Sequence, residues 1–158
     1  MKEIKLEIKG NIYDSIAAIP EMDAEYIEMA EKAKEKAYAP YSQFKVGAVV
    51  RLSNGAVYTG NNQENAAYPD GLCAERVALF KASADNPGVG IEAVYIACTE
   101  TGNICAPCGS CRQAIMEYEN KQDFPIKIWM PAGNGAILEI HANRDLLPFP
   151  FSLQKKEL

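Results

Sequence analysis

Three cysteines and a glutamate bring together the residue types that could do chemistry on this chain. They lie in Cys73-Ala74-Glu75 and in Pro107-Cys108-Gly109-Ser110-Cys111. Three thiols drawn from two segments can hold one zinc ion. A zinc with only three protein ligands keeps a fourth position for water, which distinguishes a catalytic site from a closed structural one. Glu75, two residues past Cys73, is placed to move that water's proton, so the constellation points to hydrolysis by a metal-activated water. Cys108 and Cys111 are three apart and share a face on the first turn of a helix. Cys73 and Glu75 are two apart and would diverge in mid-helix, so they converge only at an open helix N-terminus. There the positive end of the helix dipole also favours thiolate over thiol.

Three thiolates on a divalent ion leave an excess negative charge that opposes ionisation of the bound water. Arg76 is the cation placed to offset it by donating to the sulfurs, and Gln113 is placed to orient that arginine. Other readings stay open on the residues alone. Cys108-Gly109-Ser110-Cys111 also fits a thioredoxin-type redox pair, which leaves Cys73 and Glu75 without a role. A structural zinc site needs a fourth ligand, for which Cys98, Cys105 and His141 are the options. Cys98 ends an apolar run and reads as a small core residue; Cys105 receives no role. The odd count of five cysteines argues against a disulfide framework.

Helices and strands must position these groups. The alternation of Ile4, Leu6 and Ile8 predicts a strand over residues 2–9, followed by an irregular connection over 11–20. An amphipathic helix is expected over 23–37, with Asp23 as N-cap and Glu28–Lys32 as an ion pair, ending before Pro40. A hairpin follows, 44–52 and 56–60, closed by Asn54-Gly55. Helices are expected to start at Cys73 (to about 84) and at Cys108 (to about 118). Strands are expected over 93–99, 126–130 and 136–141, with a helical turn at 145–147. Strands alternating with helices indicate an α/β domain with a mixed sheet.

The chain has 158 residues, 48% hydrophobic and 23% charged, which suits a single globular domain spanning 1–158. No apolar run is long enough for a membrane span. The first ten residues lack the apolar stretch of a signal peptide, so a cytoplasmic protein is expected. A net charge of −5 and a pI near 5.0 argue against a binder of long nucleic acid.

Four segments extend the Cys-Ala-Glu and Pro-Cys-x-x-Cys motifs: Tyr38 to Ala48, Asn62 to Tyr68, Gly71 to Arg76 and Pro107 to Gln113. Together they resemble the small zinc-dependent cytidine deaminases of nucleoside salvage, of the three-cysteine type, and the likeness runs from about Ala37 to Phe151. The resemblance implies a three-layer α/β/α domain with a mixed, mostly five-stranded sheet, and one zinc per subunit held by Cys73, Cys108 and Cys111. It implies Glu75 as proton shuttle and deamination of cytidine and deoxycytidine to uridine and deoxyuridine. Phe44 would pack on the nucleoside, Asn62 and Glu64 would meet the ribose hydroxyls, and Ala66 and Ala74 would offer backbone groups to the base. It further implies a homotetramer with shared active sites, completed by Phe151 of a neighbouring subunit. Residues 1–20 look like an N-terminal addition, 148–158 like a C-terminal tail, and Gln63 stands where an apolar residue is usual. Within the same resemblance, a deaminase of a cytosine-containing antibiotic or of polynucleotide is the rival enzyme.

Overall fold

The computed structural model describes residues 1–153 of the chain, so residues 154–158 of the expected tail lie outside the described residues. In chain order the elements are β1 (Gly10–Tyr13), α1 (Glu21–Lys34), β2 (Val46–Leu52), β3 (Val57–Asn61), α2 (Ala74–Asp85), β4 (Ile91–Cys98), α3 (Gly109–Glu119), β5 (Lys127–Pro131), β6 (Ile137–Ile140) and α4 (Asn143–Leu146). The strands form one sheet in the order β1-β6-β5-β4-β2-β3. Only β4 and β5, joined by the α3 crossover, run parallel.

The alternation of side chains along each strand sorts the core into two layers. Ala48, Val50 and Leu52 of β2 point to one face, where they pack with Ala74, Ala78 and Leu79 of α2 and Ile115 of α3. Val49, between them, points to the other face, with Ile27 and Ala30 of α1 and with Tyr95 and Trp129. A sheet covered on both faces lets its central strands be almost continuously apolar, as β2 and β4 are. The architecture is therefore α/β/α, as expected.

Two glycines let the helices approach the sheet. A Cβ on Gly47 would lie 2.0 Å from the Ala30 carbonyl of α1, and one on Gly60 would lie 2.5 Å from the Ala74 carbonyl of α2. Any side chain at Gly60 would push the start of α2, which carries Cys73 and Glu75, off the sheet.

The sheet has six strands rather than five. The added strand is Gly10–Tyr13, which pairs with β6; the segment 2–9, expected as a strand, joins no sheet, and Ile4, Leu6 and Ile8 are exposed. Alternation marks a segment able to form a strand, but pairing needs a free edge and partners. Residues 10–13 have both, since Asn11 and Tyr13 hydrogen-bond the buried Glu139 carboxylate of β6 at 2.8 and 3.0 Å. Helix α1 starts at Glu21 after Pro20, not at Asp23, and its ion pair is Glu31–Lys34. Asp23 instead accepts the Tyr95 hydroxyl at 2.6 Å.

Cys98 and Cys105, expected as a small core residue and as a residue without a role, are partners. They pair as a disulfide, because the loop after β4 turns back and Cys105 donates its N–H to Pro131 of β5 at 2.9 Å. That return brings the two Cα atoms to 6.0 Å, within bridging range.

Two buried glutamates tie the C-terminal half together. Glu119 accepts bonds from the backbone of Ile126, Asn143 and Arg144 and from the Arg144 side chain, all at 2.8–3.1 Å. Glu139 sits among Lys127, Asn11 and Tyr13. Burial acts to raise its pKa, but the bonds from Lys127, Asn11 and Tyr13 outweigh that and hold it below the ordinary glutamate value.

Glu139→Gln should lower stability at neutral pH by about 1–3 kcal/mol, because a carboxamide NH2 would face the donors of Asn11 and Lys127. A carboxyl titrating below its unfolded value stabilises above the unfolded pKa, and that contribution fades as pH falls through the lowered folded value. Urea unfolding should therefore show the gap between the two proteins narrowing as pH falls below the ordinary glutamate range.

Candidate metal and active site

Cys73 and Cys108 occupy equivalent places, each in extended conformation as the N-cap of a helix, α2 and α3 respectively. Cys111 lies in the first turn of α3. The Sγ atoms of Cys73 and Cys108 are 3.8 Å apart and those of Cys108 and Cys111 3.5 Å apart; all three lie within 4.8 Å of one another. A tetrahedral zinc with Zn–S of about 2.3 Å requires sulfur separations of about 3.8 Å. The donor set therefore fits one zinc per chain, with the fourth position open among the described residues.

The electrostatics follow from this crowding. Hydrogen bonds from Cys111, then from Arg76 and Cys108, bring the Cys73 thiol down to about 5 against its burial. Cys111 is pushed up, first by donating to Cys73 and then by burial. Arg76 donates from one guanidinium nitrogen to Cys73 Sγ at 3.8 Å and to the Gly71 carbonyl at 3.4 Å. Burial works against its charge, but the bond to Cys73 and the nearby thiols raise its pKa overall. Glu75 is 4% exposed, and burial, reinforced by the negative charge at Cys73, pushes its carboxyl up from the ordinary glutamate range.

Cys73, Glu75 and Cys108 line a cleft of about 290 Å³ together with Phe44, Asn62 and Glu64. A second cleft of about 450 Å³ shares Asn62, Glu64 and Cys73 and includes Arg76, Tyr41 and Tyr68. Asn62 is buried, and its amide holds the strand entrance: Oδ1 accepts the Val46 N–H at 2.8 Å and Nδ2 donates to the Phe44 carbonyl at 2.9 Å. Glu64 accepts the backbone N–H groups of Tyr41 at 2.9 Å and Ser42 at 3.3 Å, together with the Ser42 hydroxyl. The Ser42 hydroxyl is the main cause of its lowered pKa.

Other expected residues lie outside these walls. Ala74 is fully buried in the first turn of α2 and Ala66 is in an exposed loop. Gln113 does not orient Arg76. Its amide is used on Phe151, accepting the Phe151 N–H at 3.2 Å and donating to its carbonyl at 2.9 Å. The Phe151 side chain is left exposed. Ser42, Thr101, Ile104 and Ala106, to which the sequence alone assigns no role, also line the 290 Å³ cleft. The last three lie on the approach to Pro107-Cys108, and chain that delivers a metal ligand also walls its site.

Comparison with known proteins agrees with this geometry. Residues 20–124 match the profile of the family described as "Cytidine and deoxycytidylate deaminase zinc-binding region". The cytidine deaminase of Halalkalibacterium halodurans is 38% identical over 128 residues, covering 81% of this chain and 92% of that one. The cytidine deaminase of Sporosarcina psychrophila is 45% identical over 100 residues, 63% of this chain and 72% of its own. The crystal structure of cytidine deaminase from Burkholderia pseudomallei superposes with a TM-score of 0.72 at 40% identity, covering 84% of this chain and all of that one. By profile, relatives and the sulfur geometry between two helix starts, this chain belongs to the zinc-binding cytidine and deoxycytidylate deaminase family.

Proposed function

We propose that the protein is a cytidine deaminase of pyrimidine salvage, converting cytidine or deoxycytidine and water to uridine or deoxyuridine and ammonia. The observation that carries this is the cleft in which the buried Glu75 and the zinc-spaced sulfurs share walls with Phe44, Asn62 and Glu64. Cys73, Cys108 and Cys111 hold the zinc, which when bound supplies a Lewis acid that makes water a nucleophile near neutral pH.

The chain's own groups do the rest. Glu75 takes the proton of the attacking water, delivers one to ring N3 so that C4 becomes electrophilic, and later protonates the departing amine. Its burial suits both duties, since a carboxyl pushed up towards the working pH is a stronger base for the water's proton and remains acidic enough to return it. Arg76 offsets the thiolate charge. On the sugar side, Phe44 packs on the nucleoside and Asn62 and Glu64 meet its hydroxyls, Asn62 with the N–H that its backbone bonds leave over. Ala66 and Ala74 offer backbone groups to the base.

The protein acts as a cytoplasmic homotetramer in which residues 1–158 work as one domain. Two facts support shared sites: the Phe151 ring is exposed, and its backbone is held at both polar groups by Gln113. A side chain aimed outward from a fixed backbone suits a neighbour's site better than its own. No helix among the described residues is long and apolar enough to cross a membrane.

Glu75→Ala should retain zinc by elemental analysis yet lose at least about a hundredfold in kcat with cytidine, followed by ultraviolet absorbance. Cys111→Ser should lose both metal and turnover. Near-normal kcat in Glu75→Ala would remove the shuttle assignment.

Mixing subunits tests the shared site. Phe151→Ala alone should raise KM, and assembling it with inactive Glu75→Ala subunits should restore a population of sites with normal KM. Activity no greater than that of the Phe151→Ala subunits alone would show each site to be self-contained.

A further inference from the structure

We propose that Ser42 is a positioning residue for the sugar-binding side of the site, its hydroxyl linking the Glu64 carboxylate to the Phe44 backbone. The proposal rests on the reading above, in which Glu64 and Phe44 contact the nucleoside.

The roles of the hydroxyl are set by its two partners. Ser42 Oγ lies at hydrogen-bond distance from Glu64 Oε1 and accepts the Phe44 N–H at 3.0 Å. An ionised carboxylate only accepts and a backbone N–H only donates. The serine must therefore donate to Glu64 and accept from Phe44, so reorienting one partner disturbs the other.

The segment that carries Phe44 is held by individual hydrogen bonds, and after Phe44 it is anchored where Thr99 bonds the Lys45 N–H at 2.9 Å and its carbonyl at 2.8 Å. Between α1 and β2, residues 39–45 belong to no helix or strand. Gln43 has φ of +58°, a left-handed conformation uncommon for a residue with a side chain. Its own N–H reaches the Ala39 carbonyl at 3.1 Å and its amide reaches the Pro40 carbonyl at 2.9 Å. Phe44 then has each backbone polar group satisfied by a side chain, the N–H by Ser42 and the carbonyl by Asn62 at 2.9 Å. The ring position thus depends on polar contacts made by neighbours of the substrate, not on a regular element.

Glu64 is shaped by the same contacts. A carboxylate offers about four acceptor positions. Three are filled by the Tyr41 N–H, the Ser42 N–H and the Ser42 hydroxyl, so about one is left for a donor from a ligand. The loop therefore aims the carboxylate and limits it to one sugar hydroxyl. Ser42 bonds to Glu64 and to the Phe44 backbone, so loss of its hydroxyl is expected to act on binding rather than on the sulfur-and-Glu75 side.

Steady-state kinetics and amide exchange test the linkage together. With cytidine, Ser42→Ala should raise KM about three- to tenfold with kcat within about twofold, and Ser42→Thr, which keeps the hydroxyl, should return KM to within about twofold of the parent. In a Glu64→Gln background, Ser42→Ala should add less than about twofold, because the two residues act as one unit. In the nucleoside-free protein, Ser42→Ala should speed hydrogen exchange at the Phe44 amide, and Ser42→Thr should not.

A fall in kcat at unchanged KM, multiplying effects in the double variant, or unchanged Phe44 exchange would each overturn the proposal. Faster Phe44 exchange in Ser42→Ala, with Glu64→Gln leaving KM unchanged, would support the linkage while removing the sugar-contact reading of Glu64.

Discussion

The structure is organised around a distance constraint: three sulfurs from two helix starts must come within about 4 Å of one another to share one ion. Cys73 and Cys108 meet it because each is the last extended residue before a helix, so both side chains project beyond the helix ends into the same space. For that to happen α2 and α3 must begin side by side on one face of the sheet. The β4–α3–β5 crossover places α3, and Gly60 lets α2 lie flat against β3. The opposite layer, α1 on Val49, Tyr95 and Trp129, serves the site indirectly by keeping β2 and β4 buried and in register.

The second half of the site is built differently. The side with the sulfurs and Glu75 hangs on regular elements, whereas the side proposed to take the sugar is a loop whose backbone groups are bonded by Asn62, Glu64 and Ser42 side chains. Regular elements give a rigid frame for proton transfer, where small displacements are costly. A loop pinned by side chains can be retuned one contact at a time. Asn62 shows the economy of this arrangement, because a residue expected to face only the sugar also holds the backbone of Phe44, the residue proposed to pack on it.

What was legible in the sequence was local. The starts of α2 and α3 could be read because Cys-Ala-Glu and Pro-Cys-x-x-Cys demand helix N-termini, and the hairpin could be read from Asn54-Gly55. Long-range partners were not legible. Asp23 looked like an N-cap but is held by Tyr95 across the core, and Gln113 looked adjacent to Arg76 but meets Phe151. The strand expected over 2–9 failed because alternation says nothing about which segment reaches the free edge of β6. Cys98 and Cys105 looked unrelated because only the return of the loop brings them together.

The charge balance of the site explains why Arg76 belongs beside the ligands. Three thiolates and an ionised Glu75 carry four negative charges. A bound zinc and Arg76 bring three positive ones, and two helix N-termini aimed at the sulfurs contribute roughly half a unit each. With the metal in place the site is close to neutral, and removing Arg76 would leave it about one unit negative. Without the metal the positive side is halved, and the crowding shows in opposite shifts: Cys111 and Glu75 are pushed up, while Cys73, bonded by Cys111 and Arg76, is brought down. Thiols must lose their protons to bind a metal, so zinc binding would release protons from the cysteines. Arg76 serves more than one sulfur in this balance, bonded to Cys73 at 3.8 Å and interacting with Cys111 as well.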